Sequence, residues 1–219
     1  MKPGALVALA GLLGACAASA TPAVTPPARP VAAAFPDDPR PLPRYHSTRF
    51  ALSLPLPDGH TWRIDDHSRE TLVATHAPTR SRVVAATFRV EALVGRAQCE
   101  ALAHARNLVP SGELRVLEDE TGITQQTFDT RTVVAIEPGL GPSQPLVGHV
   151  MAFGGFLRKC FVFDYSTEVD GAADEPVLST RLAYARARIL GGLELDPFGT
   201  VSRAPPAPQA SPPSPSPPP

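Results

Sequence analysis

Between residues 45 and 198 the apolar positions change period several times. Phe50, Leu52 and Leu54 alternate with smaller residues, the period of a strand with one buried face. Residues 55–59 read as a turn, and 61–64 as a second short strand ending in the polar run 65–70. Residues 71–76 and 81–90 are rich in β-branched and apolar side chains. Ala77-Pro78-Thr79-Arg80 between them predicts a hairpin.

The period becomes helical over residues 96–109. Cys99, Leu102 and Ala105 or Arg106 share a stripe, and Pro110-Ser111-Gly112 ends it. Strand composition returns at 113–117 and 124–137, with Glu118-Asp119-Glu120 expected as a solvated turn at a strand end. Residues 138–145 form a Pro/Gly loop. Residues 146–153 and 156–167 flank Gly154-Gly155, a dipeptide suited to a two-residue turn because such turns need positive φ. That register sets Phe153 opposite Phe156 and His149 opposite Cys160. Phe161, Phe163 and Tyr165 then share one face, Cys160 and Val162 the other, so both faces need cover.

A last helix starts at Asp174 as N-cap, with Pro176 in its first turn. Leu178, Leu182, Ala185 and Ile189 form its apolar stripe. Arg181, Arg186 and Arg188 are expected on its flanks, reaching water, and Gly191-Gly192 closes it. Strands, helix, strands, helix, joined mostly by hairpins, predict the α+β class: a mainly antiparallel sheet with a helix packed on each face.

Outside this window the composition changes. Eight of the 27 prolines fall in residues 21–43 and nine more lie beyond Ala204. Such segments favour extended polyproline II and bury little apolar surface. The chain therefore divides into residues 1–15, a signal peptide; 16–44, an anchor and Pro/Ala-rich linker; 45–198, one α+β domain; and 199–219, a Pro-rich tail expected to be disordered. About 150 residues suffice to bury a real core. A formal net charge of −1 argues against a polyanion partner such as nucleic acid.

The signal-peptide reading rests on Lys2, the short apolar run from Ala5 to Leu13 and the small residues after it. The run is too short for a transmembrane helix, which needs about 20 apolar residues. Leu13-Gly14-Ala15-Cys16 resembles the lipobox of bacterial lipoproteins. The resemblance implies that Cys16 is lipidated, that the mature chain begins there, and that the membrane is the first partner. Ala17 in place of Asp implies, by the same family's rule, the periplasmic side of the outer membrane if the source has one. Cys99 and Cys160 are then an even pair in an oxidising compartment and are expected to form a disulfide.

The element order, with Phe50-x-Leu52-x-Leu54-Pro55 followed by Trp62, is similar to the PsbP/Mog1-type fold. That resemblance implies a binding or assembly factor more than an enzyme.

Candidate chemistry is sparse. His60, Asp65, Asp66 and His67 are the densest set of possible divalent-metal ligands, with His76 about one strand away. They occupy polar loops, where Asp and His are ordinary turn residues. No Gly-x-Ser-x-Gly elbow, His-Glu-x-x-His motif, phosphate loop or dinucleotide fingerprint occurs. The sequence names no cofactor, no catalytic residue and no oligomeric state. It points to an envelope protein that binds another envelope protein or component. The alternative is a metal-binding protein or hydrolase using the His60/Asp65/Asp66/His67 loops.

Overall fold

The structure is a computed structural model that describes Phe35 and residues 40–123, 127–138, 141, 144–196 and 198. In chain order the elements are β1 (Arg44–Ser47), β2 (Leu52–Pro55), β3 (Arg63–Asp65), β4 (Leu72–His76), β5 (Ser81–Arg89), α1 (Arg96–Ala105), β6 (Arg115–Ile123), β7 (Asp129–Ile136), β8 (Leu146–Phe156), β9 (Lys159–Val169), α2 (Glu175–Tyr184) and β10 (Glu194–Leu195). Seven strands form one sheet in the order β3-β4-β5-β9-β8-β7-β6, every neighbouring pair antiparallel. A small sheet, β1-β2-β10, stands apart from it.

Pleating assigns the faces. On β9, Cys160, Val162 and Asp164 point one way and Phe161, Phe163, Tyr165 and Thr167 the other. A disulfide from Cys160 to Cys99 places α1 on the first face, with a Cα–Cα distance of 5.4 Å. The second face carries α2, whose Leu178 and Leu182 sit where a side chain on Gly148 would stand. The fold is therefore α+β, an antiparallel sheet with a helix on each side. Both faces are apolar because both are covered.

Several expectations need correction. Gly154-Gly155 is no turn: β8 runs through it to Phe156, which pairs with Lys159, so Leu157 and Arg158 make the connection. Leu157 takes the left-handed conformation, φ 53°, while no described glycine does. The glycines serve close approach instead. A Cβ on Gly155 would lie 2.6 Å from the Gly95 carbonyl carbon, where the chain enters α1. The shifted register sets His149 opposite Ser166 and Phe153 opposite Val162, not opposite Cys160 and Phe156.

α1 ends at Ala105 rather than at residue 109, because Asn107 turns left-handed at φ 54° and Leu108 bonds back to the Ala103 carbonyl. Phe50 precedes its strand in a turn through Ala51, although its ring is buried. Glu118-Asp119-Glu120 lies within β6, the exposed edge strand, not in a turn. Its charges suit an edge, and they are taken up by Arg131 and Arg186.

Arg181 is buried, 2% exposed, rather than reaching water. Its guanidinium donates to the carbonyls of Thr79 (2.9 Å) and Glu168 (3.1 Å) and to Thr167 Oγ1 (3.2 Å). It thereby ties α2 to the β4–β5 connection and to the end of β9. Phe35, counted within the linker from sequence, is only 8% exposed. It packs on Trp62, His76 and Tyr184 at ring-centre distances of 6.2, 5.4 and 5.2 Å. The folded unit thus reaches back beyond Tyr45. Residues 1–34, with Cys16, and 199–219 lie outside the described residues.

Candidate functional site

The loops singled out from sequence are closed by their own backbone. Asp65 ends β3 and accepts hydrogen bonds from the Ser68 hydroxyl and from the amides of Ser68 (3.0 Å) and His67 (3.2 Å). These bonds, the Ser68 hydroxyl first, hold its carboxyl down at about 2. Asp66 is buried and its carboxylate lies 2.8 Å from His67 Nε2. Burial, and behind it the bond to Asp66, push the Tyr45 hydroxyl up to about 12. Arg49 donates to the backbone carbonyls of Asp66 (2.7 Å) and His67 (3.0 Å). His60 stands in the exposed turn Gly59–Thr61, beside a groove of about 330 Å³ lined by Pro41, Leu42, Pro57 and Tyr184. Among the described residues no three His, Cys, Asp or Glu side chains are placed to hold a metal ion, so His60, Asp65, Asp66 and His67 do not form the shared site that the alternative reading required.

His76 is likewise committed. Its ring stacks on Trp62 at 5.0 Å, and Nδ1 lies 2.7 Å from Thr79 Oγ1. Burial pulls its imidazole down, which favours the neutral ring. From Thr79 a buried run of hydroxyls continues through Ser81 (2.8 Å) to Tyr165 (2.9 Å) and Thr167 (2.9 Å), and so to Arg181. Every link is a protein–protein bond inside the core, where such pairing offsets the cost of burying polar groups.

A polar set that the sequence reading missed lies on the α1 face. His149 Nδ1 is 3.0 Å from Asp164 Oδ1, and Nε2 is 3.2 Å from Glu137 Oε1. His149 and Asp164 are each 4% exposed. Burial pulls the imidazole down, but the bond and charge of Asp164, aided by Glu137, outweigh it, and the net shift is upward. The signal was present in sequence as Asp164 inside an apolar strand, but the wrong hairpin register separated it from His149. The set resembles part of a catalytic triad, yet a general base needs its second nitrogen turned to a nucleophile. Here a second carboxylate takes that nitrogen. One metal ion cannot face both ring nitrogens either. The arrangement braces β8 to β9 and to the residue following β7.

A larger groove, of about 570 Å³, lies between the sheet edge and the second helical layer. Leu117 and Val134 supply the sheet side, and Leu182, Ala183, Arg186 and Ala187 the other. Past Tyr184 the helix widens into a π-helical segment, Ala185–Leu190, which forms part of this wall. The groove is mostly apolar, with Glu118, Ser179 and Arg186 among its lining residues.

Fold and clusters define a disulfide-stapled α+β domain in which His76, His149 and Arg181 are paired inside the core. No family model and no curated sequence matches the chain. Among solved structures it is similar to a Bacteroides thetaiotaomicron protein (12% identity, TM-score 0.42, 74% of this chain and 51% of that one). It is also similar to the Saccharomyces cerevisiae Ran-binding protein Mog1p (10%, TM-score 0.47, 66% and 90%). A third similar structure is the PsbP protein CyanoP of Synechocystis sp. PCC 6803 (12%, TM-score 0.46, 85% and 100%). The chain spans about half the length of the Bacteroides protein.

Proposed function

We propose that the chain is a lipid-anchored protein of the bacterial cell envelope whose folded domain binds or helps assemble another envelope component and catalyses nothing. The observation that carries this reading is Leu13-Gly14-Ala15-Cys16 directly after a short apolar run. Two further features support it. The Cys99–Cys160 disulfide suits an oxidising compartment. The described histidines with buried rings, His76 and His149, are committed to internal partners rather than turned toward a cleft. Ala17 after the cysteine favours the outer membrane in a Gram-negative source. Two or three acyl chains, at about 0.8 kcal/mol per buried CH₂, hold a domain of this size firmly to a bilayer.

The test is palmitate labelling and membrane fractionation of the wild type and Cys16→Ser in a Gram-negative host. Label in the membrane fraction, absent from the variant, is the expected result. An unlabelled wild type, or a variant that fractionates and migrates like it, overturns the anchor.

A further inference from the structure

We propose that the outer edge of β6, which no described strand pairs, together with the groove beside it, binds an extended segment of a partner protein in which basic and apolar residues alternate. The inference rests on the binding reading above and names the chemistry of the partner.

The large sheet has two very different edges. β3 spans three residues, too few to template a long strand. β6 spans nine, and all nine are exposed. Leu117 is the extra residue of a bulge in its pairing with β7, and it lines the groove while remaining 46% exposed. Val116 is 52% exposed. A strand added to this edge would place alternate side chains beside the apolar groove wall of Leu117, Val134, Leu182 and Ala187.

Charge selects among possible strands. Arg186 is shared by Glu118 (2.6 Å) and Glu120. Arg131 is shared by Glu100 and Asp119 (2.8 Å). Two carboxylates on each guanidinium leave a net negative charge in each cluster; with the apolar positions of an incoming strand turned to the groove on the α2 face, its alternate positions face the α1 side, where cations would meet Asp119 and Glu100. A second copy of the chain is disfavoured by the same residues. A twofold pairing centred on Asp119 would oppose Asp119 to itself and Glu118 to Glu120.

Fluorescence anisotropy on the purified full-length chain in nonionic detergent, blanked against detergent alone, tests this with three nine-residue peptides. An alternating Val–Lys peptide should bind in the micromolar range and weaken as salt is raised. A Val–Glu peptide should bind at least about tenfold more weakly, and so should a Val–Lys peptide with prolines at alternate positions, which cannot complete a ladder. Leu117→Arg should lower affinity for the Val–Lys peptide by about tenfold, with an unchanged melting temperature showing that the fold is intact. Equal binding of the proline peptide, equal binding of Val–Glu, or no binding of Val–Lys below about millimolar overturns the edge site. Palmitate labelling is read separately, so failure here leaves the anchor assignment standing, and the reverse.

Discussion

His149 and Asp164 form a buried ion-pairing contact on the α1 face, Nδ1 to Oδ1 at 3.0 Å, one residue contributed by β8 and the other by β9. Because the folded imidazole is raised above its ordinary value, the stabilising proton is bound below the unfolded pKa, about 6.5, and lost as pH climbs through the folded one. Stability should therefore fall as pH rises above about 6.5 through this window. Removing one member of a buried pair destabilises by about 3 kcal/mol, so Asp164→Ala should show that loss and flatten the slope. Denaturant melts from pH 5.5 to 9 decide it: parallel pH profiles for wild type and variant would rule the pair out as the source.

The Cys99–Cys160 bond closes a loop with a sequence separation of 61 residues, joining α1 to β9. Chain entropy alone assigns such a loop about 4 kcal/mol. A reduced sample, or Cys99→Ala with Cys160→Ala, should melt well below the oxidised protein. Titration of the unfolded, unreduced chain should find no thiol from this pair; two would show that the bond does not form.

Phe35 packs against Trp62, His76 and Tyr184. Phe35→Ala should destabilise by about 3 kcal/mol, the range for a large aromatic in a core. A chain beginning at Tyr45 should be weakened by a similar amount, while one beginning at Ala32 should not. Equal urea midpoints for the two truncations would mean that Phe35 contributes no packing energy.

The two glycines of β8 separate approach from turn. A Cβ at Gly155 meets backbone atoms of Gly95 and Val94 at 2.6–2.8 Å, whereas at Gly154 the nearest atoms, in Thr130, Phe128 and Phe161, lie at 3.1–3.3 Å. Gly155→Ala should therefore be clearly the worse, destabilising by about 2–3 kcal/mol or more, since backbone cannot yield as a side chain does. Comparable losses at both positions would favour a conformational role over a steric one.

Local pattern was enough for the strands of the β4–β5 hairpin, for both helices and for the α+β class, because apolar period and turn residues act within a few positions. The Cys99–Cys160 pairing was legible too, by counting cysteines after Cys16 was set aside. The tertiary structure alone decided the rest. Gly154-Gly155 has the composition of a turn, and only the chain entering α1, packed against Gly155, shows why glycine stands there. That choice moved the register and brought Asp164 to His149, a contact invisible while His149 faced Cys160. Arg181 lies at a helical position that periodicity sends to the flank, yet the carbonyls of Thr79 and Glu168 satisfy it inside. Phe35 sits among prolines and alanines that carry no periodic signal, and its burial depends on a pocket built by Trp62, His76 and Tyr184, residues distant in sequence. Each of these depends on long-range packing, which sets a residue's surroundings without leaving a local trace in the chain.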